Sequence, residues 1–270
     1  MHYDPIKDIF ANILRKYPAL RSLFYHLLDL FFLRAWYVHR ELRAIRKKTG
    51  KREIKIFDAG SGYGQYSYFM IKNMAPCSIY AIDVKANWID DCTRFFKTKN
   101  YSNIKFEVGD LLEISEKETY DLIVCVDVME HIVEDVKVFS NYYNALKPGG
   151  FLLINTPSIF GGSDAHSDEE ESFIGEHARN GYSFEDLTEK LSPLGFHPYN
   201  SKYSYGFWGD LYWRLIIKYP LLMVNKLKAS ILLLPFYYLL FLPFGLLFMF
   251  IDFKKKNKIG SGITYVAHKP

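Results

Sequence analysis

Ile54-Lys55-Ile56-Phe57-Asp58 runs as an apolar strand pattern straight into Ala59-Gly60-Ser61-Gly62-Tyr63-Gly64-Gln65, where glycine recurs at alternate positions before a helix-like segment. Three missing Cβ atoms permit a tight strand-to-helix turn, and the helix that follows points its unpaired N–H groups at whatever occupies that turn. The stretch therefore predicts a parallel α/β sheet and a nucleotide-like ligand. A dinucleotide fingerprint would set its third glycine at Gln65; here it falls at Gly64, and Asp58 precedes the first glycine by two positions.

Four more stretches follow in order. Ser78-Ile79-Tyr80-Ala81-Ile82-Asp83 is a second apolar run ending in an acid, and Phe106-Glu107-Val108-Gly109-Asp110-Leu111 is a third. Tyr120 to Val126 leads into Asp127-Val128-Met129-Glu130-His131, and Leu146-Lys147-Pro148-Gly149-Gly150 precedes the run Phe151 to Asn155. Together the five resemble the motifs of class I S-adenosylmethionine-dependent methyltransferases, over about residues 50–200 and again at the C-terminus. The resemblance implies a doubly wound, mostly parallel, seven-stranded Rossmann-like sheet. It also implies S-adenosylmethionine as cofactor, held by Asp58, Gly60, Gly62, Gly64, Asp83, Asp110, Leu111 and Asp127. Asp83 would accept both ribose hydroxyls, and Asp110 would contact the adenine amine.

The residues support that placement by themselves. Apolar runs alternating with helical patterns from Ile54 to Pro157 give parallel strands with helices on both faces, and ligands then sit at the strands' C-terminal edge. Asp58, Asp83, Asp110 and Asp127 all fall at that edge, costly for a core and useful for a polar ligand. Each taken alone reads equally as a helix N-cap. Asp127, Glu130 and His131 share one short turn, and helical spacing would put all three on one side. They are the candidate catalytic group: a neutral imidazole takes a proton from a hydroxyl, and a carboxylate orients it. A similar Glu-His pair occurs in the ubiquinone-pathway O-methyltransferases, linked there to a divalent metal as well. The same three side chains also work without metal, and no metal is assigned. The plainer reading has His131 capping the next helix beside the cofactor.

Thr156 to Tyr182 is too polar and glycine-marked for core and reads as an active-site loop; the resemblance implies that it leads over the acceptor pocket, with His166, His177 and Arg179 as candidate contacts to a polar or anionic head group. Asp168 to Glu171 fits a solvated face equally well. Ser183-Phe184-Glu185-Asp186 is a capping-box pattern opening a helix that ends near Leu194-Gly195.

Outside the core the chain turns toward lipid. A net charge of +4 is too mild for nucleic acid, and Cys77, Cys92 and Cys125 lack metal spacing and read as buried thiols. Residues 1–50 show no basic leader with a cleavage site, and the start is expected in the cytoplasm. Leu23 to Val38 is apolar nearly all round but carries His26, Asp29 and Arg34, which suits either a cap over the cofactor or a helix in the lipid interface. Ile231 to Ile251 is a run of 21 uncharged residues with Pro235 and Pro243 inside it, long enough for a bilayer core. The tail Gly260 to Lys269 looks like the last antiparallel strand of the sheet, so the run must be re-entrant, in-plane or paired with an earlier crossing such as Leu211 to Val224. Lys254, Lys255, Lys256 and Lys258 then read as an anchor on anionic lipid.

The expected organisation is N-terminal helices over 1–50, a methyltransferase core over 51–204, a membrane-associating insert over 205–258 and the final strand over 259–270. The expected activity is methyl transfer to a lipid or isoprenoid-like acceptor, at oxygen, by a monotopic protein on the cytoplasmic face of a membrane. A soluble glycan or polyketide acceptor is the first alternative. A non-catalytic cofactor-binding scaffold is the second.

Overall fold

The glycine turn leaves β1 (Ile54–Ala59), which lies inside a seven-stranded sheet of order β3-β2-β1-β4-β5-β7-β6. The computed structural model describes residues 17–50, 52–161 and 178–270. The other strands are β2 (Cys77–Asp83), β3 (Ile104–Val108), β4 (Tyr120–Val126), β5 (Leu146–Pro157), β6 (His197–Ser204) and β7 (Gly262–His268). β1 to β5 pair in parallel, and β7 runs antiparallel between β5 and β6, as the tail predicts. Parallel strands covered on both faces need near-continuous apolar runs, and β4 is buried along Tyr120 to Cys125.

One face carries α1 (Pro18–Phe31), α2 (Leu33–Thr49), α3 (Gln65–Asn73) and α4 (Ala86–Thr98), packed through Tyr25, Val38, Leu42, Phe69 and Phe96. The opposite face carries α5 (Asp135–Ala145) and α6 (Phe184–Leu191), packed through Phe139, Tyr142 and Leu187. α6 starts at a full capping box, Ser183 and Asp186 each bonding the other's backbone N–H. The three cysteines are free and buried, and burial pushes their thiols up, Cys77 to about 11 and Cys92 and Cys125 to about 12, so they are inert packing groups.

The apolar insert is a helical hairpin. α7 (Phe207–Trp213), a π-helical turn over Arg214–Lys218 and α8 (Tyr219–Lys226) lead out; a 3-10 turn over Lys228–Leu233 and α9 (Leu234–Lys254) lead back. The limbs are antiparallel: Gly209 N–H donates to Asp252 at 3.0 Å near the base, and the Tyr238 hydroxyl donates to the Ile216 carbonyl at 3.1 Å further out. Small residues let the limbs close, since a Cβ on Gly245 would lie 2.4 Å from Ile216 Cγ1. Pro235 sits in the first turn, where its missing N–H is not needed, and Pro243 lies within the continuous helix. Lys228–Lys254 is the one stretch among the described residues long and apolar enough to cross a membrane, and only 6% of its apolar window is buried.

Candidate functional site

β1, β2, β4, β5 and β6 all end at the same sheet edge, and β7 begins there, with Pro157 and Ser204 both opposite Gly262. The glycine turn forms one wall. Gly60 and Ser61 donate their N–H groups to the Ile82 carbonyl at 3.0 and 2.8 Å, and Gly62 donates to Asp83 Oδ2 at 2.9 Å. At Gly60 φ is +80°, and a Cβ there would lie 2.3 Å from Val128 Cγ2, so this glycine is required by both backbone and neighbour. Gly64, also left-handed, faces Cys92 and Phe96.

The sequence-predicted acids divide by role. Asp83 lies at the end of β2, its two oxygens accepting from the N–H groups of Gly62 and Lys85, each at 2.9 Å. Asp110 is exposed and caps the 3-10 turn Leu111–Glu113 by accepting from Leu112 N–H, while Leu111 is buried. Asp58 is buried beneath the turn, accepting from the Ser67 hydroxyl of α3. Burial, helped by the charge of Asp83 and opposed by the Ser67 bond, pushes Asp58 up to about 7. A raised folded-state value means stability that is full below the ordinary carboxylate range and is lost as pH rises through about 7. Stability is therefore expected to fall between about pH 4 and pH 7, by at most about 1.4 kcal/mol per pH unit, and Asp58→Asn is expected to flatten that slope. Parallel slopes for the two proteins in a thermal-melt series would remove Asp58 as the titrating group.

The expected grouping of Asp127, Glu130 and His131 on one helical face needs correction. Asp127 has φ +52° and precedes the 3-10 turn Met129–His131, so the spacing is not helical through it. Its carboxylate instead forms an ion pair with Arg34 at the start of α2. Glu130 is buried and accepts from the Thr156 hydroxyl at 2.8 Å. Burial raises its carboxyl above the usual range, against the pull of Thr156, His131 and Arg34. His131 stands exposed at the edge, next to that carboxylate in the chain. Among the described residues no three His, Cys, Asp or Glu side chains gather as a metal site.

Arg179, expected to meet a head group, is committed elsewhere: it pairs with Asp135 and donates to the carbonyls of Ile132 and Val133 at 2.6 and 3.1 Å. Tyr182 adds bonds to Asp135 and the Met129 carbonyl, so residues 178–182 clamp the turn that presents His131. His166 and His177 lie outside the described residues.

Sequence reasoning missed Arg34, Tyr66 and Tyr205 as site residues. The Tyr205 hydroxyl, between β6 and α7, accepts from Arg34 N–H at 3.3 Å. The signal for Arg34 was present, because a lone arginine inside the apolar run Leu23 to Val38 is expensive unless it meets a carboxylate. Arg34 Nε, Tyr66 Oη and Ser61 Oγ are buried without a well-formed hydrogen bond. Such groups near a turn that a Cβ would fill fit a polar, cradled ligand, and S-adenosylmethionine suits that surround. If the Asp83 carboxylate accepts both ribose hydroxyls, as the sequence predicts, Asp83→Ala is expected to weaken its binding about a hundredfold. Unchanged affinity by calorimetry would rule out the ribose assignment.

A methyltransferase domain family model matches residues 50–192. Phosphoethanolamine N-methyltransferase 1 of Triticum aestivum is 27% identical over 147 residues, 53% of this chain and 28% of that protein. The ubiquinone biosynthesis O-methyltransferase of Rickettsia bellii is 29% identical over 105 residues, 38% of this chain and 42% of its own. The chain thus spans less than half the length of these curated relatives. The Haemonchus contortus phosphoethanolamine N-methyltransferase 2, solved with phosphomonomethylethanolamine and S-adenosylhomocysteine, superposes with a TM-score of 0.59 at 20% identity, covering 86% of this chain and 52% of that one.

Proposed function

Because the chain belongs to the methyltransferase domain family, whose donor is S-adenosylmethionine, we propose that it methylates a lipid or isoprenoid-like acceptor at a membrane surface, at oxygen. One observation carries the acceptor class. The hairpin leaves and rejoins the sheet between Ser204 and Gly262, at the ligand edge itself, and Tyr205 at its root touches Arg34. An acceptor held there reaches the site while its chains stay in lipid, avoiding about 0.8 kcal/mol for each CH₂ otherwise exposed. Lys254, Lys255, Lys256 and Lys258 at the returning end favour the anionic, cytoplasmic face.

When bound, the donor supplies a methyl group already activated by its sulfonium. The chain's own tasks are then alignment and proton removal. Asp83 and the glycine turn hold the donor, and the 178–182 clamp fixes the turn bearing His131. His131 takes the hydroxyl proton, with the Glu130 carboxylate next to it in the chain. Arg34 neutralises Asp127 at the site.

Full-length protein incubated with methyl-labelled S-adenosylmethionine and total membrane lipid is expected to place label in the organic extract. Label absent from that phase, with the donor demonstrably bound, would overturn the lipid acceptor. The relatives named for phosphoethanolamine support a second reading, an amine nucleophile; identifying the labelled product separates the two.

A further inference from the structure

On the flank of the hairpin's root lies a groove of about 520 Å³, separate from the sheet edge, between α1, α2, α3 and the end of α9. Its lining includes His26, Asp29, His39, Arg43, Lys72 and Phe253. From this placement we infer that the groove binds the phosphate of an anionic membrane lipid, whose acyl chains lie along the apolar hairpin.

Two cations face the groove without an ion pair among the described residues. Arg43 lies over the Phe69 ring at 5.1 Å and Lys72 over the Tyr68 ring at 5.0 Å, contacts that orient the side chains and leave their N–H groups available. The groove's one carboxylate, Asp29, accepts from Gln65 Nε2 at 2.8 Å and is also drawn to the charges of His26 and Arg43. His39 is buried and stacked on Phe69 at 3.5 Å, and its Nε2 makes no well-formed hydrogen bond, with Asp29 Oδ1 3.5 Å away. A buried ring nitrogen left without a well-formed hydrogen bond on a cation-lined wall marks a place for a polar ligand. Burial and the Arg43 charge hold His39 down at about 3, which leaves a neutral imidazole able to bond a phosphate oxygen or hydroxyl.

The surroundings favour lipid over a free anion. Phe253 closes one end of the groove at the base of α9, packed edge-on against Trp36 at 5.7 Å and covered by Arg40 at 4.4 Å. An aromatic and arginine collar where an apolar helix meets its domain marks the head-group level of a bilayer. On α1, Leu23, Leu27 and Leu30 form an exposed apolar row at helical spacing beside His26. A phosphate in the groove would thus have apolar surface on both sides and cations beneath it.

The inference rests on the membrane reading above but not on the acceptor's identity. Detergent-solubilised full-length protein is titrated calorimetrically with dihexanoyl phosphatidylglycerol, dihexanoyl phosphatidylcholine and inorganic phosphate. The glycerol lipid is expected to bind at least about tenfold tighter than inorganic phosphate, and R43Q/K72Q is expected to lose about tenfold or more. The charge-matched K97Q/K117Q, at two exposed lysines outside the groove lining, should stay within about twofold. The His39 imidazole resonances should move on titration of the wild-type protein. Equal losses in the two double variants would assign the effect to diffuse charge and overturn the site. Inorganic phosphate binding as tightly as the lipid would overturn the lipid source. Donor affinity of R43Q/K72Q, expected unchanged, verifies its fold. Methyl transfer to lipid failing while groove binding persists would sink the proposed acceptor alone.

Discussion

His131→Ala is expected to lower turnover by about a hundredfold to ten-thousandfold while leaving donor affinity within about twofold, the span associated with a positioned proton acceptor. The separation follows from geometry. His131 is exposed at the sheet edge on a turn held by the Arg179 clamp, whereas donor contacts are assigned to the glycine turn and Asp83. The readout is kcat against donor Kd in the same preparation. Full turnover would retire His131 as the base and favour an amine acceptor, which deprotonates more readily; loss of donor affinity equal to the loss in turnover would return His131 to a packing role.

Excising residues 211–258 behind a short linker is expected to release the protein from liposomes almost completely. α9 exposes Phe236 by 71% and Leu239 by 79%, and each CH₂ moved from water to lipid contributes about 0.8 kcal/mol, so a few such side chains decide the partition. The same excision removes Asp252, which accepts the Tyr37 hydroxyl at 2.9 Å and ties α9 to α2. A circular dichroism melt should therefore accompany flotation. A folded variant that still floats would shift anchoring to α1 and its leucine row.

What could be read from the chain depended on how local its cause was. β1, the glycine turn and the capping box at Ser183 are specified by neighbours a few residues apart, and the structure has them where their residues imply. The last strand was legible because its alternation and its place after the apolar run left it one location. The Asp127 turn was not. A left-handed φ at one aspartate and an arginine from α2, 93 positions earlier in the chain, decide its geometry, and neither leaves a periodic trace. Arg179 misled for a related reason, since an arginine in a polar loop looks the same whether it awaits a ligand or serves its own chain. α1 and α2 pack on the domain through Tyr25, Val38 and Leu42, and Leu20, Leu23, Leu27 and Leu30 remain exposed.

The position of β7 between β5 and β6 also orders the events of biosynthesis. Until residues 262–268 leave the ribosome, β5 has an open edge and β6 has no partner in the sheet. The hairpin emerges first. The strand that closes the sheet reaches its slot only through the hairpin before it, so a variant whose hairpin cannot close is expected to leave β6 without its partner, read as lost amide protection along β6 in hydrogen exchange.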